Sequence, residues 1–321
     1  MVQLFRKKAK PNGRVGLVVN DDLLAIAHVE ERGGKPFLLQ CSRVELQSER
    51  EAGNALSKLV NHLGLAGTQC SYVLNRKDYS LLLLEAPSVE ADEMRSAVRW
   101  KIKDLLDMKV EDAAIDVFPV PDDAYRGRRM VYVVASRNTR IQSIVNMVND
   151  SGLELAVIDI PELIMKNISS RFIDDEVGVA FMDLRRNGST MNISRNGDLY
   201  LSRQINTQVA SDVMQSPEWG RLKDRLVLEI QRSLDYYVSQ VGQSPISRVV
   251  IAQRQHDGAE MVAALNEFLD AEVSILDLAQ NIDSDLELTP ELQQICMAAI
   301  GATLRGSKKP VKLETSDQEA A

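Results

Sequence analysis

The sequence states one of its own parts twice. "GRVGLVVNDDLLAIAHVEERGGKPFLLQ" (Gly13 to Gln40) and "EVGVAFMDLRRNGSTMNISRNGDLYLSRQ" (Glu176 to Gln204) share a layout: Val-Gly and an apolar run, a polar turn, a second apolar run, a turn at Gly-Gly or Asn-Gly, and a third run. Short apolar runs separated by turn dipeptides signal strands joined by hairpins. Two such units, separated by residues 41–175, predict two related lobes, and a chain of 321 residues is long enough to give each its own core and leave a cleft between them.

Strands and helices alternate through both halves, which places the chain in the α/β class. "ALSKLVNHLGL" sets Leu56, Leu59, Val60 and Leu63 at helical spacing before Gly64. Cys70–Leu74 and Tyr79–Ala86 read as a strand pair around "NRKD", followed by a helix with Ser88 at its N-cap and Met94, Ala97, Val98, Ile102 and Leu105 on its apolar face. In the second half Leu226, Ile230, Ser233, Leu234, Tyr237, Val238 and Val241 fall on one face of a long helix. The expected domains are a flexible basic start over 1–13, a first lobe over 14–69 and 156–175, and a subdomain inserted at 70–155. A second lobe over 176–289, a helix over 290–305 returning to the first lobe and a disordered tail over 306–321 complete the division.

Composition removes several function classes. A net charge of −8 and a pI near 5.1 argue against nucleic acid, whose phosphates require a basic face. Cys41, Cys70 and Cys296 are an odd, scattered set and read as reduced core thiols, which suits a cytoplasmic protein. His28, His62 and His256 have no ligand-spaced partners, so no metal is expected. The chain has no Gly-x-Ser-x-Gly nucleophile elbow, and "GATLRGSKK" has the wrong residue order for a phosphate loop. "MVQLFRKKAK" carries basic residues without the apolar stretch of a secretory signal, and no run approaches the roughly 20 residues of a membrane span. Val2, Leu4 and Phe5 beside Arg6, Lys7, Lys8 and Lys10 suit either a solvated terminus or contact with an anionic membrane surface.

The doubled unit, the insertion, "EIQRSLDYYVSQVGQSPISRVVIA" (Glu229 to Ala252) and the terminal "TPELQQICMAAIGATL", taken in this order over residues 14–305, resemble the PilM-type proteins of the actin-like ATPase superfamily, and most of all the branch serving mannose-sensitive haemagglutinin (MSHA) pili. The resemblance implies an actin-like, ribonuclease H-like duplicated fold with an inserted α+β subdomain in the first lobe. It also implies a nucleotide site built from an Asp-Ile-Gly sequence after the first strand of each unit and a glycine shelf near the adenine.

Those positions have changed. In the first unit they are Val18, Val19 and Asn20; in the second Asp183 remains, but Arg185 stands at the glycine, ahead of Arg186, Asn187, Gly188, Ser189 and Thr190. Gln253, Arg254 and Gln255 replace the shelf. Valine cannot orient a magnesium-bound water, and a Cβ at each shelf position blocks close stacking. Asp21 and Asp22 read as turn residues rather than as a shifted magnesium site. The expectation is therefore no catalysis and no bound ATP or magnesium.

What the resemblance implies instead is a scaffold peripheral to the inner membrane of a Gram-negative bacterium, holding the cytoplasmic tail of a PilN-type assembly protein. Self-association stays open. The alternatives are an ATP-binding switch and an FtsA-like filament former, the latter disfavoured because the C-terminal stretch lacks an amphipathic stripe. Trp100, on the side of its helix away from Val98, is the candidate partner anchor, and Tyr237 is assigned to the core with Tyr236 left for the surface.

Overall fold

Tight turns at Asn20–Asp22 and at Gly33–Gly34 fold the first repeat into an antiparallel meander, with the Asn20 amide donating to Leu23 O at 2.7 Å. The computed structural model describes residues 11–306 apart from Asn187 and Ser211. Most of the basic start and polar tail, and Asn187 in the second hairpin, therefore lie outside the described residues.

The meander comprises β1 (Arg14–Val19), β2 (Leu23–Arg32) and β3 (Lys35–Glu45), followed by α1 (Ala52–Leu63) and β4 (Gln69–Val73). Next come β5 (Tyr79–Glu85), α2 (Met94–Ile102), β6 (Ala113–Pro119), β7 (Met130–Arg137), α3 (Asn138–Asp150), β8 (Glu154–Asp159) and α4 (Pro161–Phe172). The second lobe holds β9 (Val179–Asp183), β10 (Ser189–Arg195), β11 (Asp198–Ile205), α5 (Trp219–Tyr236), β12 (Arg248–Ala252), α6 (Gly258–Asn266) and β13 (Glu272–Leu276). A short β14 (Asp283–Ser284) and α7 (Pro290–Thr303) return to the first.

The two large sheets share one topology: β3-β2-β1-β4-β8, with β14 added at its edge, matches β11-β10-β9-β12-β13. Each is a meander extended by two parallel strands. The structural register of the repeat differs from the visible one. Gly13 (φ +94°) and Gly178 (φ +93°) make the same left-handed turn into β1 and β9, so Val18 corresponds to Asp183 and their hairpin partners Ala25 and Thr190 correspond too. The two Val-Gly pairs are three residues out of step because turn geometry, not the dipeptide, sets where a strand begins.

The lobes exchange helices. α4 follows the last strand of the first lobe but packs on β10 and β11, while α7 follows the second lobe and packs on β1, β2 and β4. Between the sheets one apolar cluster joins Ala25, Ala27, Ile164, Ile168, Phe181, Val250, Ala252, Cys296 and Ile300. Glycine permits the two closest approaches. A Cβ on Gly16 would stand 1.8 Å from Ala299 O of α7, and one on Gly301 would stand 2.6 Å from Ile164 of α4.

Several expectations change. β4 and β5 are strands but not a pair: β4 joins β1 and β8 in the first-lobe sheet, and β5 pairs with β7. The inserted sheet, β5-β7-β6, thus occupies residues 79–137 rather than 70–155, since α3 packs on α1 and β8 on β4. Ser88 caps nothing; turns fill residues 88–93 and α2 begins at Met94. Val238 is exposed, because a π-turn over Tyr237–Val241 rotates it out while keeping Tyr237 and Val241 buried.

The Gly16 contact yields a test. Gly16→Ala drives a methyl into the α7 backbone and is expected to destabilise by about 3 kcal/mol, the upper part of the overpacking range. Gly53→Ala in α1, whose Cβ meets nothing nearer than 3.8 Å, is expected to stabilise by about 0.5 kcal/mol. Urea unfolding of both variants provides the comparison.

Candidate functional site

Both hairpins of the repeat open at the carboxyl ends of β1 and β9, at the mouth between the lobes. On the first side Val18 lies between Ala25 and Val73 and packs against the inter-lobe cluster. Asn20 spends its amide within the turn, and the Asn75 side chain donates to Val19 O at 2.7 Å. Asp21 forms an ion pair with Lys77, whose ammonium is held above its usual pKa by that contact.

On the second side Asp183 is bound by its own neighbour: Arg185 Nε lies 2.7 Å from Asp183 Oδ1. The Arg185 amide donates to the fully buried Ser189 Oγ at 2.9 Å, and Ser189 Oγ donates back to Arg185 O at 3.2 Å. Thr190 sits opposite Asp183 on β10. Beyond β12, the Gln253 side chain accepts from the Arg254 amide at 3.1 Å.

Arg254 itself points inward and is 2% exposed. Its guanidinium donates to Ala210 O at 2.6 Å and Leu184 O at 3.4 Å, and pairs with Asp257 at 2.8 Å. One cation thereby joins the β9 hairpin, the segment after β11 and the start of α6. The next residue, Gln255, donates its amide to Gln294 of α7 at 2.8 Å. The structure thus brings Asp183, Arg185, Ser189 and Thr190 together, with Gln253 beyond the end of the neighbouring β12, while Val18 and Asn20 lie on the equivalent hairpin of the first lobe.

Trp100 is elsewhere. It lies on α2, whose Val98 and Ile102 pack on Val131, Val133 and Ala135 of β7. Helical spacing turns Trp100 outward, and it is 78% exposed. The adjacent Lys101 donates to Glu85 O at 3.1 Å, at the rim of a groove of about 520 Å³ lined by Ala86, Pro87, Arg128 and Arg129. The opposite face of the inserted sheet faces the second lobe. Tyr132 stacks on Phe118 with centroids 5.2 Å apart, and its hydroxyl accepts from the Ser202 amide at 2.9 Å.

Tyr125 and Arg126 both hold left-handed backbones, at a cost of about 1–2 kcal/mol each. They do so because Tyr125 is buried in the second-lobe core and Arg126 donates to Ser239 O at 3.1 Å. Tyr236, left for the surface by the sequence, is half-buried with Arg203 over its ring at 5.1 Å. Tyr237 is in the core.

A buried acid was missed. Glu162, in the first turn of α4, accepts from Tyr79 OH at 2.6 Å and lies 3.9 Å from Arg76 Nε, while Asn192 of β10 donates to its backbone carbonyl at 2.7 Å. The insertion, the shared helix and the second lobe meet at this residue. Its sequence signal, an acid after Pro161 at a helix start, reads as ordinary dipole complementarity. Burial pushes the Glu162 carboxyl above its usual pKa against the pull of Tyr79 and Arg76, and burial beside Glu162 pushes the Tyr79 phenol well above its own.

The sequence matches no family model and no curated protein. Among solved structures it is similar to a PilM–PilN type IV pilus biogenesis complex, at 18% identity, covering 92% of this chain and 99% of that one, with a TM-score of 0.69. The chain has the actin-like fold. Weaker likenesses are to a Bacteroides thetaiotaomicron protein with an actin-like ATPase fold (10% identity, 92% and 99% covered, TM-score 0.49) and to the cytoplasmic domain of EpsL, an inner-membrane component of the Vibrio cholerae type II secretion system (11%, 89% and 94%, 0.48).

Glu162 supplies a pH test. Its folded pKa is raised, so the folded state favours the proton; the stability this contributes is full below the unfolded pKa of about 4.3 and is lost as pH rises through the folded value. Gln keeps an acceptor for Tyr79 and never ionises. Glu162→Gln should melt above the wild type at pH 8 and close to it at pH 4, as read by thermal unfolding at the two pH values.

Proposed function

We propose that this chain is a non-catalytic, PilM-like scaffold of type IV pilus biogenesis, of the MshI kind that serves MSHA pili. In this reading it stands at the cytoplasmic face of the inner membrane and holds the cytoplasmic tail of a PilN-type protein. The carrying observation is the likeness to the PilM–PilN complex, which spans nearly the whole of both chains. Tail recognition of this kind uses a groove and an anchoring side chain rather than reacting groups. Trp100 has the properties of such an anchor: large, aromatic and exposed on a helix whose other face is fully committed.

The mouth between the lobes supports the non-catalytic part of the reading. Magnesium capture needs an acid at the Val18 position, and phosphate needs bare backbone where Asn20 and Arg185 stand. Asp183 already has its cation in Arg185, and the buried Arg254 guanidinium is committed to Leu184 O, Ala210 O and Asp257. An ATP-binding switch is the second reading, favoured by the retained Asp183. Calorimetric titration with Mg-ATP decides between them: no binding is expected, and a low-micromolar dissociation constant would establish the switch.

The partner site has its own test. Trp100→Ala should weaken binding of a PilN-type tail peptide by about 2 kcal/mol and leave the melting temperature unchanged. Unaltered affinity removes Trp100 from the site. Failure of every such tail to bind the wild-type protein removes the scaffold reading.

A further inference from the structure

The inserted sheet has two edge strands, β5 and β6, on either side of β7. Unpaired strand edges invite another chain, and proteins blunt them with proline, with charge or with groups that take up the free backbone atoms. Edge β6 is blunted in all these ways. The Val120 amide donates to Met130 O at 3.0 Å, so the even-numbered residues of β6 bond to β7 while Ala113, Ile115, Val117 and Pro119 turn their backbone outward. Pro119 has no N–H to offer, the Val117 amide donates to Asp116 Oδ1 at 2.9 Å, and Asp116 is paired with Arg95. Ala113 is occupied twice, its amide by Val110 O and its carbonyl by Arg99.

Edge β5 is bare. The Ala86 amide donates to Arg129 O at 2.8 Å, and the same alternation gives Ser80, Leu82 and Leu84 to β7 and turns the backbone of Tyr79, Leu81, Leu83 and Glu85 outward. Arg76 donates to Tyr79 O at 3.2 Å and Lys101 to Glu85 O at 3.1 Å. Between these two, the amides and carbonyls of Leu81 and Leu83 meet no partner among the described residues. The strand, "YSLLLLE", has no proline, carries its one charge at the end and leaves its leucines partly exposed.

We propose that β5 pairs antiparallel with β5 of a second copy of this chain, joining two inserted sheets into one across a two-fold axis at Leu82. Such pairing must set outward-facing residues against each other. With Leu82 on the axis, Leu81 lies opposite the partner's Leu83 and Tyr79 opposite the partner's Glu85, so every residue of the strand is paired. The charges agree with this register. Glu85 is exposed and has no ion pair among the described residues, and the Arg76 guanidinium lies over the Tyr79 ring at 4.9 Å. The Cβ atoms of opposed residues are about 4.5–5.5 Å apart, which brings each Glu85 carboxylate within reach of the partner's Arg76. A slip of two residues loses this pair and leaves the strand ends unpaired. An extended peptide of another protein would match the backbone equally well but not this reciprocal charge, which favours a second copy as the occupant.

Sedimentation equilibrium of the full-length protein should show monomer and dimer in exchange. Leu83→Pro removes an edge N–H that no strand of the same chain uses, and should abolish association. Glu85→Arg, at an exposed position, should weaken it about tenfold, since the two-fold axis repeats the change, and should leave the melting temperature of the monomer unchanged. The register has its own readout. Opposed residues on the axis have Cα atoms about 4.5 Å apart, so Leu82→Cys should cross-link two copies on oxidation with diamide, whereas Ser80→Cys, opposite the partner's Leu84, should not. The native Cys41, Cys70 and Cys296 are buried. A wild type that stays monomeric up to about 1 mM, undiminished association in Glu85→Arg, or cross-linking of Ser80→Cys as readily as Leu82→Cys would each overturn the proposal. So would β5 amides that gain protection from hydrogen exchange only when a PilN-type tail peptide is added, an outcome that assigns the edge to that peptide.

Discussion

The contact between β1 and α7 is the constraint on which the rest depends. Gly16 lets the α7 backbone at Ala299 come so close that no side chain fits between, and Gly301 on the same helix admits Ile164 and Ile168 of α4. Since α7 belongs in sequence to the second lobe and in packing to the first, and α4 the reverse, neither lobe can leave the other without exposing the cluster they share. Burial of apolar area is the dominant favourable term in folding, so this exchange makes the lobes one cooperative structure rather than two domains on a linker.

That arrangement governs the mouth of the cleft. Strand ends in an open sheet offer a crevice where ligands bind, because chain direction reverses there and backbone groups are left over. Here the leftover groups have partners within the protein. Val18 adds to the apolar floor, Arg185 engages Asp183, and Arg254 gathers two carbonyls and Asp257. A buried guanidinium is tolerated only when its donors find acceptors, and these three partners take four of its five N–H groups. The inserted sheet adds a second restraint, with Tyr125 in the second-lobe core, Tyr132 bonded to Ser202, and Tyr79 on Glu162.

The sequence by itself determined the repeat, the alternation of strands and helices and the outward direction of Trp100, because hydrophobic period and turn chemistry are local properties. The resemblance, not the visible register of the repeat, matched Val18 with Asp183, since the turns at Gly13 and Gly178 rather than the Val-Gly pairs set where the equivalent strands begin. Only the tertiary structure decided which strands pair: β4 and β5 look alike in sequence, yet β4 has β1 and β8 as neighbours and β5 has β7. It alone turned Arg254 inward, buried Glu162 where three parts of the molecule meet, and brought Arg14 to Arg305 across 291 residues. Partners so distant in sequence leave no mark in composition or spacing, because burial and pairing of a charge depend on which surfaces the whole fold presses together.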